Sequence, residues 1–113
     1  MKIKTSDLEG LALDWAVAKC EGIDVEYVND GITKCLLRRP SGRYEPSTDW
    51  SQGGPIIERE QLQICPEIGK RGCGNAWWAV AVTPHDAYGA TPLVAAMRCF
   101  VASKLVDEVS RNT

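Results

Sequence analysis

No apolar run in the 113 residues approaches the roughly 18 that a membrane-spanning helix needs, and the opening MKIKTSDLEG has no apolar stretch of the signal-peptide kind. No membrane partner is expected, and the chain reads as cytoplasmic. Nor is there an excess of either charge: 13 basic residues stand against 15 acidic ones, net −2, which argues against a general nucleic-acid binder of the basic-patch type. The five cysteines, at 20, 35, 65, 73 and 99, include no CxxC pair and are odd in number, so a disulfide framework is not expected. Cys65, Cys73 and His85 would supply three zinc ligands at most, without a familiar spacing. Neither a GxxxxGK[ST] loop nor a Rossmann glycine fingerprint is present, and no cofactor is expected.

The 113 residues, 44% of them apolar, suit one domain over 1–113 with a single core. Ser6-Asp7-Leu8-Glu9 has the form of a capping box, Leu8, Leu11, Ala12, Trp15 and Ala18 make an apolar stripe, and Gly22 suits a left-handed C-cap, which predicts a helix over 6–21. Ile23, Val25 and Tyr27 alternate with acidic residues before Asn29-Asp30-Gly31 and ITKCLL, the pattern of a hairpin. Residues 40 to 55 carry Pro40, Gly42, Pro46, Gly53, Gly54 and Pro55, breakers that predict a long loop. A strand is expected near 61–65, and a clear one in NAWWAVAVTP. Thr91-Pro92 starts a helix over 92–108 with Leu93, Met97, Phe100, Val101 and Leu105 inward. The expected fold is α+β: an antiparallel sheet of about four strands with an N-terminal and a C-terminal helix packed on it. Trp77, Ala79 and Ala81 alternate with Trp78, Val80 and Val82, so both strand faces are apolar. The second face needs a cover, either the mid-chain loop or another subunit, and a homodimer is expected.

Loops longer than about 12 to 15 residues are uncommon in compact domains unless functional or disordered, and a tract holding Tyr44, Trp50, Ile56 and Ile57 does not read as disordered. The expected ligand site is therefore this loop and its flanks. Arg38, Arg39 and Arg43, in a stretch without acidic residues, would neutralise phosphate, and Tyr44 and Trp50 would stack on a base. Ser47, Thr48, Asp49 and Gln52 would read polar edges, and the amides of Gly53 and Gly54 would approach an anion. Arg98, which interrupts the apolar run of the last helix, is a further candidate; a salt bridge or a core-edge arginine explains it equally well. The same loop residues also suit a purely structural reading, with Ser47-Thr48-Asp49 as a cap and Trp50 as a core plug. Catalysis is the weaker alternative: Cys73 with His85 as its base is a conceivable nucleophile, but nothing in the sequence brings the two together, and no catalytic residue is assigned.

LDWAVAKCEG at 13–22, YEPSTDWSQGGPIIERE at 44–60 and YGATPLVAAMRCFVASKLVDEV at 88–109 together resemble the small NinX-type proteins of lambdoid bacteriophages and prophages, whose biochemical role is unnamed. The resemblance implies a short accessory protein of the bacterial host cytoplasm. A phage accessory protein with a ligand-binding loop and no convincing catalytic set is expected to bind a small phosphorylated, nucleotide-like ligand, for instance to sequester a messenger of anti-phage defence. The alternatives are an inhibitor docking on a host protein and a small enzyme acting on a nucleotide.

Overall fold

The computed structural model describes residues 8–38, 42–67, 76–82 and 85–112, with side chains as far as residue 104. In chain order they form α1 (Gly10–Glu21), β1 (Glu26–Asn29), β2 (Lys34–Arg38), β3 (Gly42–Arg43), α2 (Trp50–Glu60), β4 (Gln63–Pro66), β5 (Trp77–Val80), β6 (Asp86–Gly89) and α3 (Pro92–Asn112). The class is α+β, but the expected single sheet is two antiparallel sheets of three strands, ordered β1-β2-β3 and β4-β5-β6, and there is a third helix.

The first helix starts later than the capping-box pattern suggests. Glu9 is extended and Gly10 has a φ of +56°, a left-handed turn into the helix that a residue with a side chain takes only at a cost. Ser6 lies outside the described residues. At the other end Gly22 is left-handed as expected, and the amides of Gly22 and Ile23 donate to the carbonyls of Lys19 and Ala18. The inward stripe is Leu13, Asp14, Val17 and Ala18, so the predicted stripe is rotated: Trp15 is 49% exposed, with the Lys19 ammonium 4.8 Å from its ring centre one turn on. The hairpin forms as the sequence predicts. Asp30 Oδ1 accepts from the amides of Ile32 and Thr33, Asn29 Oδ1 accepts from Gly31, and the ladder pairs Glu26 with Leu37 through to Asn29 with Lys34.

Every residue from Ala95 to Val101 is buried, so α3 is apolar almost all round and must be covered on all sides. It lies between the β4-β5-β6 sheet on one side and α1 and α2 on the other. Gly89 makes the close approach to the sheet possible, since a Cβ there would stand 2.5 Å from the Ala95 amide nitrogen. Ala79 of β5 is fully buried, with Trp77 and Ala81 packed on the same core. On the other face of β5, Trp78 and Val80 are half-exposed, and just beyond the strand Val82 is 74% exposed. Trp78 Nε1 donates to Asp86 Oδ2 at 2.8 Å, across to β6, a strand beyond those the sequence pattern indicated.

The expected long loop is the main correction. Only residues 44 to 49 connect β3 to α2, and Gly53, Gly54 and Pro55 lie within the helix. Glycine and proline are about 1 and about 3 kcal/mol less favourable than alanine in a helix interior, so tertiary contacts and capping must offset them. Asp49 caps the helix, its Oδ1 accepting from the Ser51 amide at 2.9 Å and from the Ser51 hydroxyl at 2.7 Å. Gly53 is buried where α2 rests on the preceding connection and on α3: a Cβ there would collide with the Pro46 carbonyl oxygen and come within 2.7 Å of Leu93 Cδ2. The connection is tied to α1 as well, since the Ser47 amide donates to the buried Asp14 Oδ1 at 2.8 Å.

Two predictions follow from this docking. Gly53→Ala raises intrinsic helix propensity yet should destabilise the protein by about 1 to 3 kcal/mol through overpacking. Gly54→Ala, whose methyl would meet nothing within 4 Å, should stabilise by about 0.5 to 1 kcal/mol. Urea unfolding checks both, and effects of the same sign would refute the packing argument. Burial pushes the Asp14 carboxyl above its ordinary value of 3.8, against the Ser47 amide that favours the anion. The folded chain therefore holds this proton more tightly than the unfolded one, and the associated stability is present below the ordinary value and lost as pH rises through the raised one. Asp14→Asn keeps an acceptor for Ser47 and removes the titration, so its urea midpoint relative to wild type should climb between about pH 4 and pH 7. A constant difference across that range would contradict the assignment.

Candidate functional site

A cleft of about 530 Å³ opens where the end of α1, the β2–β3 pair and the cleft-facing side of α2 meet. Glu21 comes from the end of α1 and Ile23 from just beyond its cap, and Arg38, Arg43 and Tyr44 from the sheet side. Helix α2 and its cap contribute Asp49, Ser51, Gln52, Pro55, Ile56 and Arg59. Ser51, Pro55 and Arg59 follow one another at steps of four, one line along the helix surface, with Gln52 and Ile56 beside it.

The polar groups at the mouth are fixed by one another. Gln52 clasps the backbone on both sides of Tyr44: its Nε2 donates to the Arg43 carbonyl at 3.1 Å and its Oε1 accepts from the Glu45 amide at 3.0 Å. The same Nε2 donates to Asp49 Oδ2 at 3.0 Å. Hydrogen bonds from Ser51 and then Gln52 hold the Asp49 carboxyl below its ordinary range, so it is an anion at neutral pH. Pro55 has no N–H, which leaves the Ser51 carbonyl without its usual helical donor on the cleft side.

Among the described residues three arginines line the cleft, in two states. Arg59 is held by Glu21 through a paired contact, Nη1 to Oε1 and Nη2 to Oε2, both 2.9 Å, and its Nε donates to Glu60 Oε2 at 2.9 Å. Lys104 reaches Glu60 Oε1 at 3.2 Å, so the ion network joins α1, α2 and α3. Arg38 and Arg43 are exposed and make no ion pair among the described residues.

Of the residues expected from the sequence, Arg38, Arg43, Tyr44, Asp49 and Gln52 meet in this cleft. Tyr44 is only 5% exposed and belongs to the core, and burial, aided by the Glu21 carboxylate, pushes its hydroxyl up to about 12. It forms the cleft floor and presents no open ring for stacking. Ser47 is buried against Asp14, and Thr48 is exposed with its amide and hydroxyl turned to the Glu45 carbonyl. Trp50, 56% exposed, is the first residue of α2, between the cleft residues Asp49 and Ser51. The glycine amides are not aligned as an anion receptor: Gly53 donates to the Asp49 carbonyl at 2.9 Å, and Gly54 sits inside the helix. Arg98 lies apart from the cleft, 8% exposed, donating to the Leu8 carbonyl at 2.7 Å and the Tyr88 carbonyl at 2.9 Å. Arg39 lies outside the described residues.

Sequence reasoning missed Glu21, Ser51 and Arg59. The signal was available in Asp49 followed three residues later by Gln52, a helix-start pattern that the breakers obscured. Cys73 of the alternative nucleophile pair lies outside the described residues. Cys99 is buried, which raises its thiol to about 11, and its Sγ contacts the His85 carbonyl at 3.3 Å, so it is a protonated core residue at neutral pH. Among the described residues no cluster of three or more histidine, cysteine, aspartate or glutamate side chains is placed to hold a metal ion. No helix among them is long and apolar enough to cross a membrane.

No curated protein matches the chain in a sequence search. The family model described as Bacteriophage P22, NinX matches residues 4–104, which include all three resembling segments up to that point and every residue of the cleft. With nearly the whole length matched, the chain belongs to the bacteriophage NinX family.

Proposed function

We propose that the protein is a phage accessory factor of the bacterial host cytoplasm whose cleft binds a small phosphorylated ligand, and that it sequesters a nucleotide second messenger of anti-phage defence. The observation that carries this reading is the pair Arg38 and Arg43, exposed residues without ion-pair partners among the described residues, at a cleft of about 530 Å³, within the range of roughly 300 to 1,000 Å³ typical of small-molecule sites. Their forks suit phosphate oxygens, while Asp49 and the Ser51 carbonyl accept from sugar hydroxyls or base amino groups. Trp50, exposed and next in sequence to the lining residues Asp49 and Ser51, is the aromatic residue available to stack on a base. Family membership supports the phage setting and leaves the ligand open.

A second reading has its own observation. The outer side of the second sheet carries half-exposed Trp78 and Val80 beside exposed Val82, a surface suited to a host protein or to a second copy in a homodimer.

The two readings separate in one experiment. Thermal-shift screening of the protein against linear and cyclic nucleotides should find at least one that raises the melting temperature, because a ligand bound only by the folded state stabilises it. Arg38→Ala and Arg43→Ala should each weaken that ligand by about tenfold or more. Trp50→Ala should cost about 1 to 3 kcal/mol if a base stacks there. No shift with any nucleotide, together with binding to a host protein that Val82→Asp abolishes, would replace the first reading by the second.

A further inference from the structure

The Glu21–Arg59 pair is built in a way that a simple surface ion pair does not require. Glu21 is the last residue of α1, where the helix dipole is negative and a carboxylate is disfavoured. Its side chain is only 17% exposed and lines the cleft, whereas that of Arg59 is 51% exposed. Of the five N–H groups of Arg59, Glu21 takes two and Glu60 one, which leaves two for a further acceptor. Glu21 thus stands as a fixed internal anion on the only cleft arginine that is paired among the described residues. Among the described residues around the cavity three arginines face two carboxylates, Glu21 and Asp49, so this described lining carries one net positive charge and two guanidiniums without a counter-ion among the described residues.

From this balance we infer that Glu21 sets the charge selectivity of the cleft, which accepts a ligand whose phosphates are singly charged diesters and rejects terminal polyphosphates. The inference rests on the cleft being the phosphate site proposed above. Arg38 and Arg43 can each neutralise one diester. Every further ligand charge would be brought out of water without a partner and against Glu21 and Asp49, an arrangement that costs affinity. Replacing Glu21 by a neutral residue of the same shape removes one repulsion and releases two donors of Arg59. The polyphosphate penalty should then fall.

The test measures calorimetric affinities, at one ionic strength, for cyclic AMP, cyclic GMP, cyclic di-AMP and cyclic di-GMP against ATP and GTP. The proteins are wild type, Glu21→Gln and Arg59→Gln, each checked for folding by circular dichroism. Wild type should prefer a diester. Glu21→Gln should tighten ATP or GTP by about tenfold while changing the diester much less. Arg59→Gln breaks the same pair but leaves the carboxylate, so it should keep the rejection of triphosphates. If the pair were only a staple between helices, both substitutions would lower stability and neither would alter the preference. Binding of both ligand types with a preference unmoved by Glu21→Gln, or wild type binding triphosphates as tightly as diesters, would overturn the charge assignment while leaving a phosphate site. Absence of binding by all six probes to all three folded proteins would overturn the phosphate site itself, and this inference with it.

Discussion

The architecture depends on burying α3 from every side. A helix with Ala95, Ala96, Met97, Cys99, Phe100 and Val101 all inaccessible cannot lie on one face of a sheet with its back to water; it needs a sheet beneath it and helices above it. The chain meets that demand at two close approaches. At Gly89 the backbone of β6 comes against the first turn of α3, and at Gly53 α2 settles against Leu93. Arg98, in the middle of this apolar helix, donates from Nε and Nη1 to the carbonyls of Leu8 and Tyr88, so it ties the segment before α1 and the end of β6 to the same helix. A charge so placed is part of the scaffold.

The cleft is a by-product of how α2 is held. Gly53 faces inward and brings the helix down onto the connection before it, while the line through Ser51, Pro55 and Arg59 is left facing α1 and the hairpin sheet. Asp14 and Gln52 fix the connection by its backbone, through the Ser47 amide on one side and the Arg43 carbonyl and Glu45 amide on the other. Because Arg43 is positioned through its own carbonyl, its side chain remains available at the mouth. Arg59 reaches across to Glu21 and lies 5.7 Å from the Phe100 ring centre, so the charge arrangement of the cleft is coupled to the same core that α3 organises.

Local patterns were legible where local physics decides the conformation. Gly22 as a left-handed cap, the Asn29-Asp30-Gly31 turn with its side-chain to amide bonds, and Thr91-Pro92 at the start of α3 need only neighbouring residues, and all are found in place. The reading of residues 40 to 55 went astray because Gly53-Gly54-Pro55 has low intrinsic helicity, and the compensation comes from Pro46, Leu93 and the cap at Asp49, partners that no short window contains together. Among the expected site residues, Arg38 and Arg43, chosen to neutralise phosphate, and Asp49 and Gln52, chosen to read polar edges, converge on the cleft, whereas Arg98 lies apart from it. Tyr44, Ser47 and Gly53, chosen as exposed loop groups, are instead buried in the packing beneath it.

By itself, then, the amino-acid sequence determined the α+β class, the hairpin, the final helix and the family, because propensity, turn chemistry and segment identity are properties of contiguous residues. Only the tertiary structure decided that the breaker-rich stretch is a helix, that the strands divide between two sheets, and that Glu21 stands opposite Arg59. Those outcomes depend on contacts between residues far apart in the chain, such as the 38 positions that separate Glu21 from Arg59, and no window of contiguous residues contains both partners.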